Sequence, residues 1–368
     1  MTRKSDRLQH RSRQVVLIAA GVFALAQLGG GALLDYAWPQ VRFPAAYQHF
    51  AALEQQDRSP NLLFLGSSRI KHCVDAGILT QELRRRTGDG EFLAFSGAIP
   101  AGDPIVMEFA FHELTRRGAR PELVILEITP EALNRRNDWI SEHVLRQLRW
   151  EDLPRYLGDV ARTRNWGPLV QSRLVPLVVH RHELVRAVRE ELMAWATDEP
   201  RALPAQFSPM APAKSVAATP VALRRDDSTE TPKTPPSIEP QYAKAMQSGL
   251  HLLRRYLRDY QIDGRPCEAL ERLLECCRAQ GCQVLLLGAP VTTAHRGHYT
   301  PAIDAEYRDY VRRVQATYGC VFFDCRDRIT DDLFQDNHHA LPAGALVFSQ
   351  WLAAEVSPLV GRTLLTQR

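Results

Sequence analysis

Five short apolar runs, each stopped by a turn residue and separated by helix-like stretches, constrain this chain most. The first is Asn61-Leu62-Leu63-Phe64-Leu65, which halts at Gly66-Ser67-Ser68. Glu91–Phe95 halts at Ser96-Gly97, Leu123–Ile128 at Thr129-Pro130, Val284–Leu287 at Gly288-Ala289-Pro290, and Val321–Phe323 at Asp324. Runs this short, apolar on both faces and bounded by Gly, Pro or Ser, read as buried strands. Helical periodicity falls between them, over 76–86, 104–117, 241–260, 266–280 and 302–318, with a final helix over 343–355. Strands alternating with helices predict a parallel sheet covered on both faces. The expected fold class is α/β, a flavodoxin-like three-layer α/β/α domain with a five-stranded parallel sheet of order 2-1-3-4-5. It carries an N-terminal transmembrane helix and a helical insertion, and ligands belong at the carboxyl ends of the strands.

The N-terminus predicts the compartment. Val15 to Leu34 is apolar apart from Gln27. Twenty helical residues span about 30 Å, the thickness of a bilayer's hydrocarbon core. Arg3, Lys4, Arg7, Arg11 and Arg13 precede the run and Asp35 follows it. The positive-inside rule then assigns 1–14 to the cytoplasm and the main domain to the periplasmic or extracellular side. A cleaved signal peptide is the rival, but its apolar region is normally shorter and ends at a small-x-small site. The run therefore reads as an uncleaved signal anchor. Lys+Arg number 46 against 42 Asp+Glu, a net charge of +4. Most of that excess lies in the basic tail, so no folded basic stripe for nucleic acid is expected.

Residues 36–139 and 241–368 form the expected α/β domain. Between them, 140–199 reads as a helical insertion with interleaved aromatics and nine arginines from Arg146 to Arg189. It fits a helical packing unit, a cap over the site, or a surface near the membrane. Nine of the 24 prolines fall in 200–240, a composition that predicts a disordered loop. The seven cysteines, an odd number, fit either buried thiols or one or two disulfides within 267–325. No Cys/His spacing matches a zinc site, and neither metal nor organic cofactor is expected.

Gly66-Ser67-Ser68-Arg69 places a hydroxyl at a strand-to-helix turn, where helix amides can receive an oxyanion. Asp336-Asn337-His338-His339 sits just before the last helix. Asp336 and His339 are spaced so that one short turn sets carboxylate against imidazole, leaving the other ring nitrogen for a serine. His338 competes for the same role.

Together these blocks resemble the SGNH/GDSL hydrolase superfamily, in its membrane-anchored branch with a Gly-Ser-Ser-Arg first block. Ser68 stands at the nucleophile position, with Ser67 replacing the usual Asp. Phe95-Ser96-Gly97-Ala98-Ile99-Pro100-Ala101-Gly102 matches the second block. Gly344, five residues after His339, matches the family spacing and selects His339 over His338. Glu127-Ile128-Thr129-Pro130 departs from the expected Gly-x-Asn-Asp; Asn134 and Asn137 lie further along as substitutes. The resemblance implies Ser68 as nucleophile, His339 as base and Asp336 as its orienting carboxylate. It implies an oxyanion hole from the amides of Ser68 and Gly97, or Gly102. Arg69, Asp103 and Arg296 are candidate substrate-binding residues, Arg69 alternatively pairing with Glu127. The implied activity is that of a GDSL-like serine esterase or O-acyltransferase of the cell envelope, acting on a small ester or an exported polysaccharide. The alternative is a catalytically inactive SGNH-like carbohydrate-binding or assembly protein working with envelope or export proteins.

Overall fold

The computed structural model describes residues 2–136, 144–145, 147–163, 166–197 and 240–366. Asn137 and nearly all of the proline-rich 200–240 segment lie outside them. Helix α1 (Thr2–Ala32) leads through Pro39–Val41 to α2 (Pro44–Glu54). Then come β1 (Leu62–Leu65), α3 (Ser68–Cys73), α4 (Ala76–Thr87), β2 (Ala94–Ser96), α5 (Pro104–Arg116), β3 (Leu123–Glu127) and α6 (Pro130–Leu133). The insertion contributes α7 (Leu153–Thr163), α8 (Trp166–Leu174), α9 (Pro176–Val179) and α10 (Arg181–Thr197). The chain ends with α11 (Pro240–Tyr256), α12 (Arg265–Ala279), β4 (Gln283–Gly288), α13 (Thr293–Arg296), α14 (Pro301–Tyr318), β5 (Val321–Asp324) and α15 (Pro342–Thr366).

The five strands form one parallel sheet in the order β2-β1-β3-β4-β5. Side chains alternate across a strand, so each strand feeds two cores. Leu63, Leu65, Val124, Leu126 and Leu286 face the layer of α5, α12 and α14. Leu62, Phe64, Leu123, Ile125, Leu285 and Leu287 face the layer of α4 and α15. This is the three-layer α/β/α arrangement. Strand β2 begins three residues later than the apolar run suggests, because Leu93 turns its carbonyl back to the Asn61 and Leu62 amides. Strand order reverses between β1 and β3, which opens a crevice at their carboxyl ends.

Among the described residues, two helices are long and apolar enough to cross a membrane, Ser12–Ala37 and Pro342–Val360. The second is a core helix, with Phe348, Leu352, Ala353 and Val356 fully buried against α4. The first shows its apolar side chains to the outside along most of its length, Val15, Leu17 and Leu25 among them. At its base it is fixed to the body. Asp35 is buried between Arg42 at 2.6 Å and Arg173 of α8 at 3.0 Å. All seven cysteines are free, and all but Cys276 are buried, so the disulfide alternative is not realised.

His49 of α2 is buried and donates its Nδ1–H to the Ser96 carbonyl at the end of β2. Burial, with Lys71 nearby, pushes its pKa from 6.5 down to about 4. The unfolded chain therefore binds this proton first as pH falls. Stability contributed by neutral His49 is complete above about pH 6.5 and is lost progressively down to about pH 4. We expect this one group to cost about 2 kcal/mol at pH 5. Denaturant titrations of detergent-solubilised protein at pH 7 and pH 5 should show it, with a flatter pH dependence in His49→Gln.

Candidate active site

The β1–α3 turn carries the first functional block. Gly66 is required here, because a Cβ would lie 2.5 Å from Glu127 Oε2. Glu127, at the end of β3, accepts hydrogen bonds from the Ser67 amide at 2.5 Å and the Ser67 hydroxyl at 3.1 Å. Ser67 Oγ in turn accepts the Arg69 amide at 3.1 Å and so caps α3. Ser68 thus begins the helix with its hydroxyl free to face the last block.

That block holds the base. The amides of His338 and His339 donate to Asp336 Oδ1 at 2.9 and 2.8 Å. Asp336 Oδ2 lies 2.6 Å from His339 Nδ1, and His339 Nε2 lies 2.8 Å from Ser68 Oγ. Partial burial opposes the Asp336 charge, but the His339 ring and the two amides hold its pKa well below the ordinary carboxylate range. The ionised carboxylate accepts Nδ1–H, which leaves the Nε2 lone pair for the serine proton. The structure therefore brings Ser68, His339 and Asp336 together. His338 stands beside them, its ring 4.0 Å from that of His339 and its Nδ1 hydrogen-bonded to Asn337. Burial and the Arg69 charge keep His338 neutral, far below the usual imidazole range.

Behind the serine lies a polar chain that sequence inspection misses. Arg69 pairs with Glu131 of α6, not with Glu127. Tyr299 donates its hydroxyl to Glu131 Oε2 at 2.9 Å, and His295 lies 3.0 Å from Tyr299 Oη. His295 Nδ1 accepts from Asn337 Nδ2 at 2.9 Å, and Asn337 Oδ1 accepts from His338. The direction of each bond follows from its neighbours, so both histidines are single tautomers. Burial would raise the Glu131 pKa, but Arg69 and His295 hold it well below the usual value. These residues come from segments more than 260 positions apart, from Arg69 to Asn337, and carry no local motif.

Several expected roles are not realised. The Gly97 amide is spent on the Phe64 carbonyl at 2.9 Å, continuing the β1–β2 pairing. The Gly102 amide donates to the Ile99 carbonyl at 2.8 Å. Neither is open to an oxyanion. Gly102 instead permits close backbone approach, since a Cβ there would collide with the Gly66 carbonyl. Among the described residues, the amides of Ser68 and Ala101 have no protein acceptor. Ala101 holds φ at 58°, a left-handed conformation that costs a non-glycine residue about 1–2 kcal/mol. Asn134 does not stand in for the missing block-three Asn. Its amide clamps the carbonyls of Tyr256 and Arg258 and the Gln261 amide. Arg296 turns away to Thr293 Oγ1 and Asp327 and does not line the cleft. Asp103 does line it, while its Oδ1 caps α5 through the Val106 amide. Burial pushes the Asp103 pKa up to about 7.

A cavity of about 190 Å³ opens beside Ser68, walled by Ala101, Gly102, Asp103, Thr129 and His338 and roofed by Leu252, Leu253 and Tyr256 of α11. Helix α11 sits hard on the site, for a Cβ at Gly249 would collide with the Asn337 side chain. Asp336, His338 and His339 also lie close enough together to share a metal ion. Two of the donor atoms, Asp336 Oδ2 and His339 Nδ1, already bond each other.

No protein-family model matches the chain, and none of the curated protein sequences matches it.

The Arg69–Glu131 pair gives a direct test of the supporting chain. Glu131→Gln leaves a half-buried guanidinium without its counter-charge and should cost about 3–5 kcal/mol. The double variant Arg69→Met/Glu131→Leu should recover part of that loss. Thermal denaturation of wild type, Arg69→Met, Glu131→Leu and the double variant as a double-mutant cycle measures the coupling.

Proposed function

We propose that this chain is a serine ester hydrolase or O-acyltransferase of the SGNH type. It is anchored by residues 15–34 with its α/β domain on the extracytoplasmic side. The observation that carries this reading is the unbroken line Asp336–His339–Ser68, with separations of 2.6 and 2.8 Å. In the proposed reaction Ser68 Oγ attacks the ester carbonyl carbon and its proton passes to His339 Nε2. The tetrahedral oxyanion is received by the Ser68 and Ala101 amides, an assignment that replaces the glycine amides. Collapse expels the alcohol, which takes the proton from His339. Water or a sugar hydroxyl, deprotonated by the same ring, then attacks the acyl-enzyme and releases Ser68. Asp336 keeps the imidazole in the working tautomer throughout.

The cavity favours short acyl groups. A space of about 190 Å³ beside Ser68 accommodates an acetyl or other short acyl group. An envelope or exported polysaccharide is the substrate class drawn from the resemblance. One observation favours the non-catalytic alternative, a carbohydrate-binding or assembly role: the block-three Asn donor has no replacement in Asn134.

Activity-based labelling separates the two. Purified full-length protein should react with a fluorophosphonate probe, and Ser68→Ala and His339→Ala should abolish the signal. Asp336→Asn should lower hydrolysis of p-nitrophenyl acetate by about 10⁴-fold, and turnover should fall steeply from acetate to octanoate. Absence of labelling in folded wild-type protein would overturn the catalytic reading and favour the binding or assembly role.

A further inference from the structure

Exposed large apolar side chains fall chiefly in two places. One is the flank of α1. The other is the insertion, whose buried Tyr156, Val160 and Leu169 belong to the core layer of α5 and α12. On α8, Trp166, Val170 and Leu174 recur every fourth residue and share one face. On α10, Val185, Val188, Leu192 and Trp195 follow the i, i+3, i+7, i+10 pattern of a single stripe. Trp195 is 86% exposed and Val185 68%. Soluble surfaces rarely show such rows; they mark a binding face for protein or lipid. Arg181, Arg186 and Arg189 lie on the same helix, the mixture that interfacial helices use.

The seating of α9 against α1 says which partner is meant. Gln27 Oε1 accepts the Leu177 amide at 3.2 Å. Gly30 lets Leu177 approach so closely that a Cβ would lie 2.6 Å from it, and Gly31 meets Pro176 in the same way at 3.4 Å. If 15–34 spans the hydrocarbon, Gln27 to Gly31 lie about 5–10 Å below its outer edge at 1.5 Å per residue. The polypeptide touching them must share that depth, which is the depth at which amphipathic helices lie in an interface. Helix α10 continues directly from this point and also packs on Pro39–Val41, just past the span. The buried Asp35–Arg42–Arg173 cluster holds the arrangement together.

We propose that α8, α9 and α10 form a membrane-docking platform, with the stripe Val185, Val188, Leu192 and Trp195 lying in the leaflet from which α1 emerges. The proposal rests on the reading of 15–34 as a span. The platform converts a single-helix anchor into a two-point attachment and fixes the height and tilt of the catalytic domain.

The test uses the full chain in nanodiscs of phosphatidylethanolamine and phosphatidylglycerol. Cys276→Ser removes the one cysteine that is not buried. Nitroxide labels are then placed singly at Val22→Cys, Val185→Cys, Leu192→Cys and Glu190→Cys, and collision with oxygen is compared with collision with a water-soluble nickel chelate. Labels at Val22, Val185 and Leu192 should show an oxygen-to-nickel ratio several-fold above that at Glu190. A ratio at Val185 and Leu192 equal to that at Glu190 would overturn the platform while Val22 still reports lipid. Low access to both reagents at the stripe would also overturn it, since a protein partner or second copy would then cover the face. A water-like ratio at Val22 would remove the span itself, and the platform with it.

Discussion

One buried carboxylate organises the carboxyl edge of the sheet in this protein. Glu127 ends β3, and its two oxygens bind the amide and hydroxyl of Ser67 on the neighbouring strand's exit turn. The turn can pass so close to a carboxylate only because residue 66 has no side chain. Burial raises the Glu127 pKa, while Ser67 and Arg69 oppose the rise. The strand that contributes Glu127 is the central one, so the position of Ser68 is inherited from sheet register and not from loop conformation. A nucleophile placed this way needs little reorganisation at the moment of reaction.

The same logic extends to the base. Asp336 is held by two backbone amides before it ever meets His339, so the carboxylate is fixed by local turn geometry. The first and last blocks are then joined through Arg69, Glu131, Tyr299, His295 and Asn337, each bond directing the next. Such networks add rigidity when every member is satisfied and become costly when one is removed. Here the chain lies behind Ser68, and Arg69 Nη1 at its start is buried without a hydrogen-bond partner among the described residues.

The sheet was legible in the sequence because its strands are buried on both faces, and continuous apolar runs such as Leu62–Leu65 have no other stable use. Ser68, Asp336 and His339 were legible because each sits beside a turn signal at a strand exit or helix entry. The oxyanion donors were not. Gly97 and Gly102 looked available, yet their amides are consumed by Phe64 and Ile99, a matter of hydrogen-bond bookkeeping that only three-dimensional pairing decides. Glu131, His295 and Tyr299 were invisible for a different reason: their partners lie far away in sequence, and a lone Glu after a Pro or a His on a short helix has many ordinary uses. The insertion's seat on α1 was likewise hidden, because Gly30 reads equally well as a residue merely tolerated in a span.

The separation of the reacting groups has a consequence for how the protein comes into being. Ser68 and His339 are 271 residues apart, and β3 pairs with β4 only after the whole insertion has been made. Contacts this distant form late, since the intervening chain must be ordered before they are rewarded. A nascent chain therefore holds Ser68 without its His339 partner until the last block has emerged, and an open β3 edge until β4 has. A chain cut short before β4 would be sticky along that edge. The order of synthesis thus sets the burden that unfinished copies place on the cell, which is aggregation along an unpaired strand.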